Sequence, residues 1–551
     1  MAAIDTVAAK CCSARCSRAR WRRAPVMSSE TVNHGCAREG RSRGPCAVVI
    51  AYGFVRAVVG RSAAVLLCVA GVPVLVVTLV HHFFGVPLSA YRPIINDEVA
   101  YWHQALTFTR AGFHGGYYTL GEVTNPSGLT PFGPHGPGFA VLYGTAGSLF
   151  GWYRHSVVIL NLIAIGAAAW IWASLTRASI PRLLLGAAML LTFWHMLYWA
   201  PTGMQEGLHH AGAIAIAGCF AAVLGPYRRW WVIGFGWVVL AVLAFVRPSW
   251  LILFPLWAIA TTRSSSRRII AATVVASIVI GTAILFAYAR TTAPYEEGFF
   301  FLRVASLSLG LQALVENVSG NVRRLGMPDQ FHHIELLQRY QYGALLLATT
   351  IAAVVAMWRT RQTQGLIPHF AIAAAALALA LTAMLLLYQF TNFAEHRVLS
   401  AFLLFGTMLC IAAPGRLGPA LAAGIVIVSL ASARTSLLEL EDSWRDRFIW
   451  DRRGVSELED ALGATVVYHP DASRWCNTLL TSQYPPQLIG VPGGIGLSVV
   501  RKPERMTLPP KSRYLLLDED VRAAFTRPLN LEMVATLPYG TLYVNRDARC
   551  R

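Results

Sequence analysis

The residues equipped for chemistry are few and widely spaced. Asp97-Glu98 stands about a dozen residues past the first long apolar run, beside Tyr101 and Trp102. A carboxylate there can act as a general base on an attacking hydroxyl, and partial burial, by raising its pKa, suits that role near neutral pH. The same pair also reads as a helix start, with Asn96 or Asp97 as the cap. Pro134-His135-Gly136-Pro137-Gly138 leads into a short apolar run, Phe139–Phe150. A helix that begins after such a turn offers free backbone N–H groups to a phosphate, with His135 as a further donor. The other reading is a plain loop breaker. Glu122 is a second carboxylate on this stretch, either solvated or facing substrate. Arg247 and Arg397 each border an apolar run. A cation so placed either snorkels to lipid headgroups or binds a lipid phosphate. For Arg397 a local pair with Glu395 is the simplest alternative. Glu206, His209 and His210 share one helical face, a weak metal pattern, because spacing alone does not make ligands converge.

These residues need a scaffold, and composition says which kind. The chain has 551 residues, 55% hydrophobic and 14% charged, with mean hydropathy +0.49. Soluble domains carry roughly 25% charged residues. Apolar runs recur at about 62–84, 155–175, 183–200, 207–225, 230–246, 248–262, 269–290, 341–358, 367–390, 398–413 and 418–433. The expectation is a mainly α, polytopic α-helical membrane protein of about eleven spans. Phe139–Phe150 is too short to cross roughly 30 Å of hydrocarbon and reads as a re-entrant or interfacial helix.

The net charge of +19 is topological information. Residues 1–61 hold eleven Lys/Arg against three acids and read as a disordered cytoplasmic arm, with Met27 as an alternative start. With that arm inside, the basic connectors around Arg177, Arg228, Arg267, Arg359 and Arg416 also fall inside, as the positive-inside rule requires. The pattern argues against a nucleic-acid partner. Loop 85–154, loop 291–340 and the tail 435–551 then lie outside. The domain expectation is arm 1–61, membrane body 62–434 and an extracytoplasmic α/β domain 435–551. In the tail, Ala464–Tyr468 and Ser512–Leu517 read as strands, Asp518–Phe525 as a helix and Leu537–Asn545 as a closing hairpin. Cys68, Cys219 and Cys410 lie in apolar runs as small hydrophobes, whereas Cys476 and Cys550 can pair in an oxidising compartment.

Four features together resemble the GT-C superfamily of polytopic glycosyltransferases, which includes protein O-mannosyltransferases and lipid A aminoarabinose transferases. They are Asp97-Glu98-Val-Ala-Tyr soon after the first span, the His135–Gly151 turn and short helix, a span starting near Arg154, and Glu395-His396-Arg397 before a late span. The resemblance covers roughly 62–435. It implies transfer of a sugar, with inversion, from a polyprenyl-phosphate donor to a glycan, lipid or protein acceptor outside the inner membrane. It implies Asp97 as the base, with Glu98 sharing the role, and His135, Arg247, Arg397 and Glu122 as donor-phosphate or substrate contacts. No cofactor is implied, and membrane lipids are the other partners. The family commonly has a second proline where this chain has Gly136. The rival expectations are a transporter or lipid flippase and a non-catalytic envelope assembly subunit.

Overall fold

The structure is a computed structural model. It describes residues 44–115, 119–122, 132–133, 135–225, 228–262, 266–292, 307–325, 332–358, 367–387, 397–450, 459–460, 462–482, 488–500, 509–525, 529–537, 540–548 and 550. Two compact units are distinguished, Met1–Gly60 and Arg61–Arg551. The expected disordered arm lies outside the described residues up to residue 43; from Gly44 the chain is helical. The expected boundary at 434/435 falls inside the second unit.

All eleven apolar runs are helical, but they are not equally long. Among the described residues six helices are long and apolar enough to cross a bilayer: Val59–Phe84, Ser156–Thr176, Glu206–Leu224, Arg267–Thr291, His333–Trp358 and Pro368–Leu386. Leu417–Ala431 and Ala433–Phe448, bent by 66°, make a seventh if taken as one span. The other runs form shorter helices. Run 183–200 breaks at Phe193 into Ile180–Thr192 and Trp194–Trp199. Run 230–246 ends at Arg247-Pro248, where proline supplies no N–H to continue a helix.

The helices are numbered in chain order: α1 Gly44–Phe84, α2 Asn96–Ala111, α3 Gly138–Phe150, α4 Ser156–Thr176, α5 Ile180–Thr192, α6 Trp194–Trp199, α7 Glu206–Leu224 and α8 Trp230–Val246. Then come α9 Leu253–Thr261, α10 Arg267–Thr291, α11 Leu307–Leu325, α12 His333–Trp358, α13 Ile367–Leu387, α14 Arg397–Ala412, α15 Leu417–Ala431, α16 Ala433–Phe448 and α17 Glu519–Ala523. The core is built around α7, which is apolar on every side beyond His210 and buried nearly throughout. At Gly218 a Cβ would come within 2.9 Å of the Trp172 Cα, so α4 packs backbone to backbone against it. This places Glu206, the first residue of α7, inside the ring of helices.

The short run behaves as its length requires. α3 has 13 residues, about 20 Å of rise. It buries Phe139, Ala140 and Tyr143 and exposes Leu142, Leu149 and Phe150, as suits a helix lying at an apolar boundary.

The tail forms a sheet of six strands ordered β1-β3-β2-β4-β6-β5. They are β1 Thr119–Leu120, β2 Thr478–Thr481, β3 Gly496–Val499, β4 Tyr514–Leu517, β5 Leu531–Leu537 and β6 Gly540–Asn545. β1 belongs to the first loop and pairs in parallel with β3, Thr119 opposite Ser498. Loop and tail therefore share one sheet and lie on the same side of the helical body. Ala464–Tyr468 is not a strand. Residues 462–465 are helical, and buried Leu462 and Val466 stand four apart on one helical face against the sheet. Cys476 and Cys550 are joined in a disulfide.

Candidate active site

Four of the six residues singled out in the sequence come together at helix ends. Asp97 lies in the first turn of α2, Arg397 opens α14, Arg247 follows the last residue of α8, and His135 sits in the turn before α3. An Arg397 terminal nitrogen donates to Asp97 Oδ2 at 2.9 Å. His135 Nε2 is 3.6 Å from Asp97 Oδ1. Glu206 bridges the two arginines: its Oε1 is 2.8 Å from an Arg247 terminal nitrogen and 3.2 Å from Arg397 Nε. The result is a chain of alternating charge, His135–Asp97–Arg397–Glu206–Arg247. Its outer end is open, with Asp97 30% and His135 22% exposed, and its inner end at Glu206 is 1% exposed.

The local sequence explains the placement of His135. Gly136 has φ +81°, and a Cβ there would strike the Tyr288 ring. At Gly138 a Cβ would meet the backbone of Phe245 and Val246 at 2.6 Å. Only a bare Cα lets the start of α3 abut the end of α8, and this brings His135 and Arg247 to one level. The Gly133 N–H donates to Gln104 Oε1 at 2.9 Å, which ties the turn back to α2.

Burial by itself pushes the Asp97 carboxyl up, but His135 and Arg397 beside it outweigh that and hold it below the ordinary carboxylate range. It is therefore an anion fixed between two donors. An apolar cavity of about 540 Å³ is lined by residues that neighbour His135 and Arg247 in sequence. Its lining includes Pro137 and Gly138, just past His135, and Phe245, just before Arg247, together with Phe113, Phe132 and Val242.

Two of the six residues stand apart from this cluster. Glu98, expected to share the role of Asp97, points the other way and is fully buried. Its carboxylate accepts from the Tyr91 hydroxyl at 2.5 Å, the Gly203 N–H at 2.8 Å, the Ile94 and Ile95 N–H groups at 3.1 and 3.2 Å, and Arg447 Nε at 3.3 Å. Neighbouring helical residues are about 100° apart, so adjacent acids serve different faces. The start of α2 is capped by Glu98 reaching back to the Ile95 N–H, while Asp97 turns to Arg397; the Asn96 side chain lies outside the described residues. Glu122, expected to meet substrate, faces the tail. Its carboxylate accepts from the Lys511 and Ser512 N–H groups at 2.9 and 2.8 Å and from the Ser512 hydroxyl at 2.6 Å. It staples the first loop to the sheet.

The weak metal pattern separates. His209 Nδ1 accepts from the Trp250 indole at 2.9 Å, while His210 Nε2 and the Ser400 hydroxyl are 2.8 Å apart. Among the described residues no three His, Cys, Asp or Glu side chains gather as a metal cage. Glu395 and His396 lie outside the described residues. The sequence reading missed Glu206 as the arginine bridge, Tyr101, and Trp199, whose ring lies 5.9 Å from the Arg397 guanidinium. A usable signal existed for Glu206: it is the only acid in α7, whose other residues are apolar apart from His209 and His210.

No family model matches this chain, and no curated protein matches it. Among solved structures it is similar to the crystal structure of the Archaeoglobus fulgidus oligosaccharyltransferase in complex with zinc and sulfate. That similarity has 12% identity and TM-score 0.46 and covers 86% of this chain and 73% of that one. It is also similar to ArnT from Cupriavidus metallidurans in the apo state, at 13% identity and TM-score 0.38 over 90% of this chain and 98% of that one.

Proposed function

We propose that this protein is a membrane glycosyltransferase that takes a sugar from a polyprenyl-phosphate carrier. It passes the sugar, with inversion, to a hydroxyl on a glycan, lipid or protein acceptor at the outer face of the inner membrane. The observation that carries the proposal is the convergence of Asp97, His135, Arg247 and Arg397 from four distant segments beside an apolar cavity. An isoprenoid suits the apolar cavity, and its phosphate suits the cluster's cations. A transporter would carry its charges on broken helices at mid-span. Here they stand at helix termini.

The reaction follows from that placement. The acceptor oxygen attacks the anomeric carbon, a new C–O bond forms, and the bond from that carbon to the phosphate oxygen breaks. The carrier leaves as polyprenyl phosphate, its growing charge met by Arg247, Arg397 and His135. Asp97 takes the acceptor proton. In the free protein Asp97 is a poor base, because Arg397 and His135 stabilise its anion. An arriving phosphate competes for Arg397 and loosens that pair, so Asp97 gains basicity when the donor is bound.

The test supplies a panel of radiolabelled polyprenyl-phosphate hexoses and pentoses to membranes carrying wild type, Asp97→Asn or Arg397→Gln. Asp97→Asn is expected to lower transfer by about 10²–10⁴-fold. Equal transfer by wild type and Asp97→Asn would overturn the reading.

A further inference from the structure

Tyr101 lies one turn past Asp97 on the same face of α2. It is 2% exposed, and its ring is fixed edge-on to His135 with centroids 4.8 Å apart and tilted against Phe139 at 5.4 Å. Its hydroxyl is buried and has no hydrogen-bond partner among the described residues. The charged groups acting on it are those of the cluster: Asp97, Arg397, Arg247 and Glu206. The indole N–H of Trp199, beside Arg397, is likewise buried without a partner.

A buried hydroxyl without a partner is destabilising, and proteins seldom keep one without use. The obvious acceptor, Asp97, already has one oxygen on Arg397 and the other facing His135. The hydroxyl donates to no group among the described residues, and the charges of Arg397 and Arg247 act on it. Burial first, and the Asp97 charge second, raise its pKa well above the ordinary phenol value, so it stays protonated and can act as a donor. An anion drawn to Arg247 and Arg397 is the acceptor that suits this set.

We propose that the Tyr101 hydroxyl donates a hydrogen bond to the phosphate of the lipid-linked donor, completing a cradle with Arg247 and Arg397. This rests on the reading under Proposed function. Charge grows on the phosphate oxygens as the sugar departs, so the bond strengthens toward the transition state and Tyr101 counts as a catalytic residue.

Tyr101→Phe removes one oxygen and keeps the ring packing. Because the hydroxyl has no protein partner, the variant is expected to melt at or above the wild-type temperature. A lower melting temperature would show that the hydroxyl is a structural bond and would sink the inference. Binding of undecaprenyl phosphate is expected to weaken about tenfold, the scale of one hydrogen bond to a charged group, while binding of undecaprenol is unchanged. Transfer is expected to fall about 10- to 100-fold, mostly in kcat. Unchanged phosphate binding and transfer in Tyr101→Phe, with Asp97→Asn inactive, would overturn this inference alone. Unchanged transfer in both variants would overturn the parent reading as well.

Discussion

Glu98→Gln tests whether the two neighbouring acids, Asp97 and Glu98, have separate roles. Glu98 is fully buried and receives donors from Tyr91, Ile94, Ile95, Gly203 and Arg447. Its ionic partner Arg447 is 2% exposed and also donates to the Ser443 carbonyl. The pair joins the start of α2 to the end of α16, where the membrane body passes into the tail. Glutamine keeps the shape but removes the charge and turns two N–H groups toward existing donors. Breaking one side of a buried pair is worth about 3–5 kcal/mol, because the remaining charge stays buried without its counterion. The purified variant in detergent is therefore expected to melt well below wild type. Transfer per folded molecule should stay within a few-fold of wild type, in contrast to Asp97→Asn. Adding Arg447→Met to Glu98→Gln removes the stranded cation, so the double variant should be less destabilised than the two single changes summed. A Glu98→Gln protein that melts like wild type yet loses transfer would refute this reasoning and return Glu98 to the catalytic group.

Three further outcomes concern the contact of α2 with the tail and the tail itself. His103 is 1% exposed on α2; burial pushes it down to about 4, although the carbonyls of Pro492 and Val491 pull the other way. The unfolded chain takes up this proton near pH 6.5, so the stability from neutral His103 is complete above that and is lost as pH falls toward 4, about 3 kcal/mol in all. Melting curves from pH 7 to 4.5 should fall more steeply for wild type than for His103→Gln, and parallel slopes would contradict the assignment. The Cys476–Cys550 disulfide closes a separation of 74 residues and ties the start of β2 to the chain's end. Replacing both cysteines by serine should destabilise the tail by about 4 kcal/mol. In cells alkylated before lysis these two cysteines should resist labelling until reduced, because the bridge persists only in an oxidising compartment. Two freely labelled thiols would place the tail on the wrong side.

The membrane body was legible in the sequence because hydropathy is local: a run of apolar residues needs no partner to declare itself. The shortness of Phe139–Phe150 and the separateness of Asp97, His135, Arg247 and Arg397 from the apolar mass were legible for the same reason. Span number was less so, because a break such as Phe193, or a proline after Arg247, divides or shortens a run without changing its composition. Ala464–Tyr468 misread as a strand because β-rich composition cannot distinguish a helix turn whose apolar side chains find the sheet.

What only the tertiary structure decided is which charge meets which. Asp97 and Glu98 are adjacent and chemically equivalent in sequence, yet one faces Arg397 and the other Arg447, some 300 and 349 residues away. Glu122 read in sequence as a second carboxylate on the first loop, and the fold turns it to the tail because β1 beside it joins the tail sheet. Nothing in the spacing of Glu206 or Tyr101 points to Arg247 and Arg397; burial among the converging helix ends brings them there. The chain's own chemistry set the inventory of acids and cations, and long-range packing, which no local periodicity encodes, set their pairing.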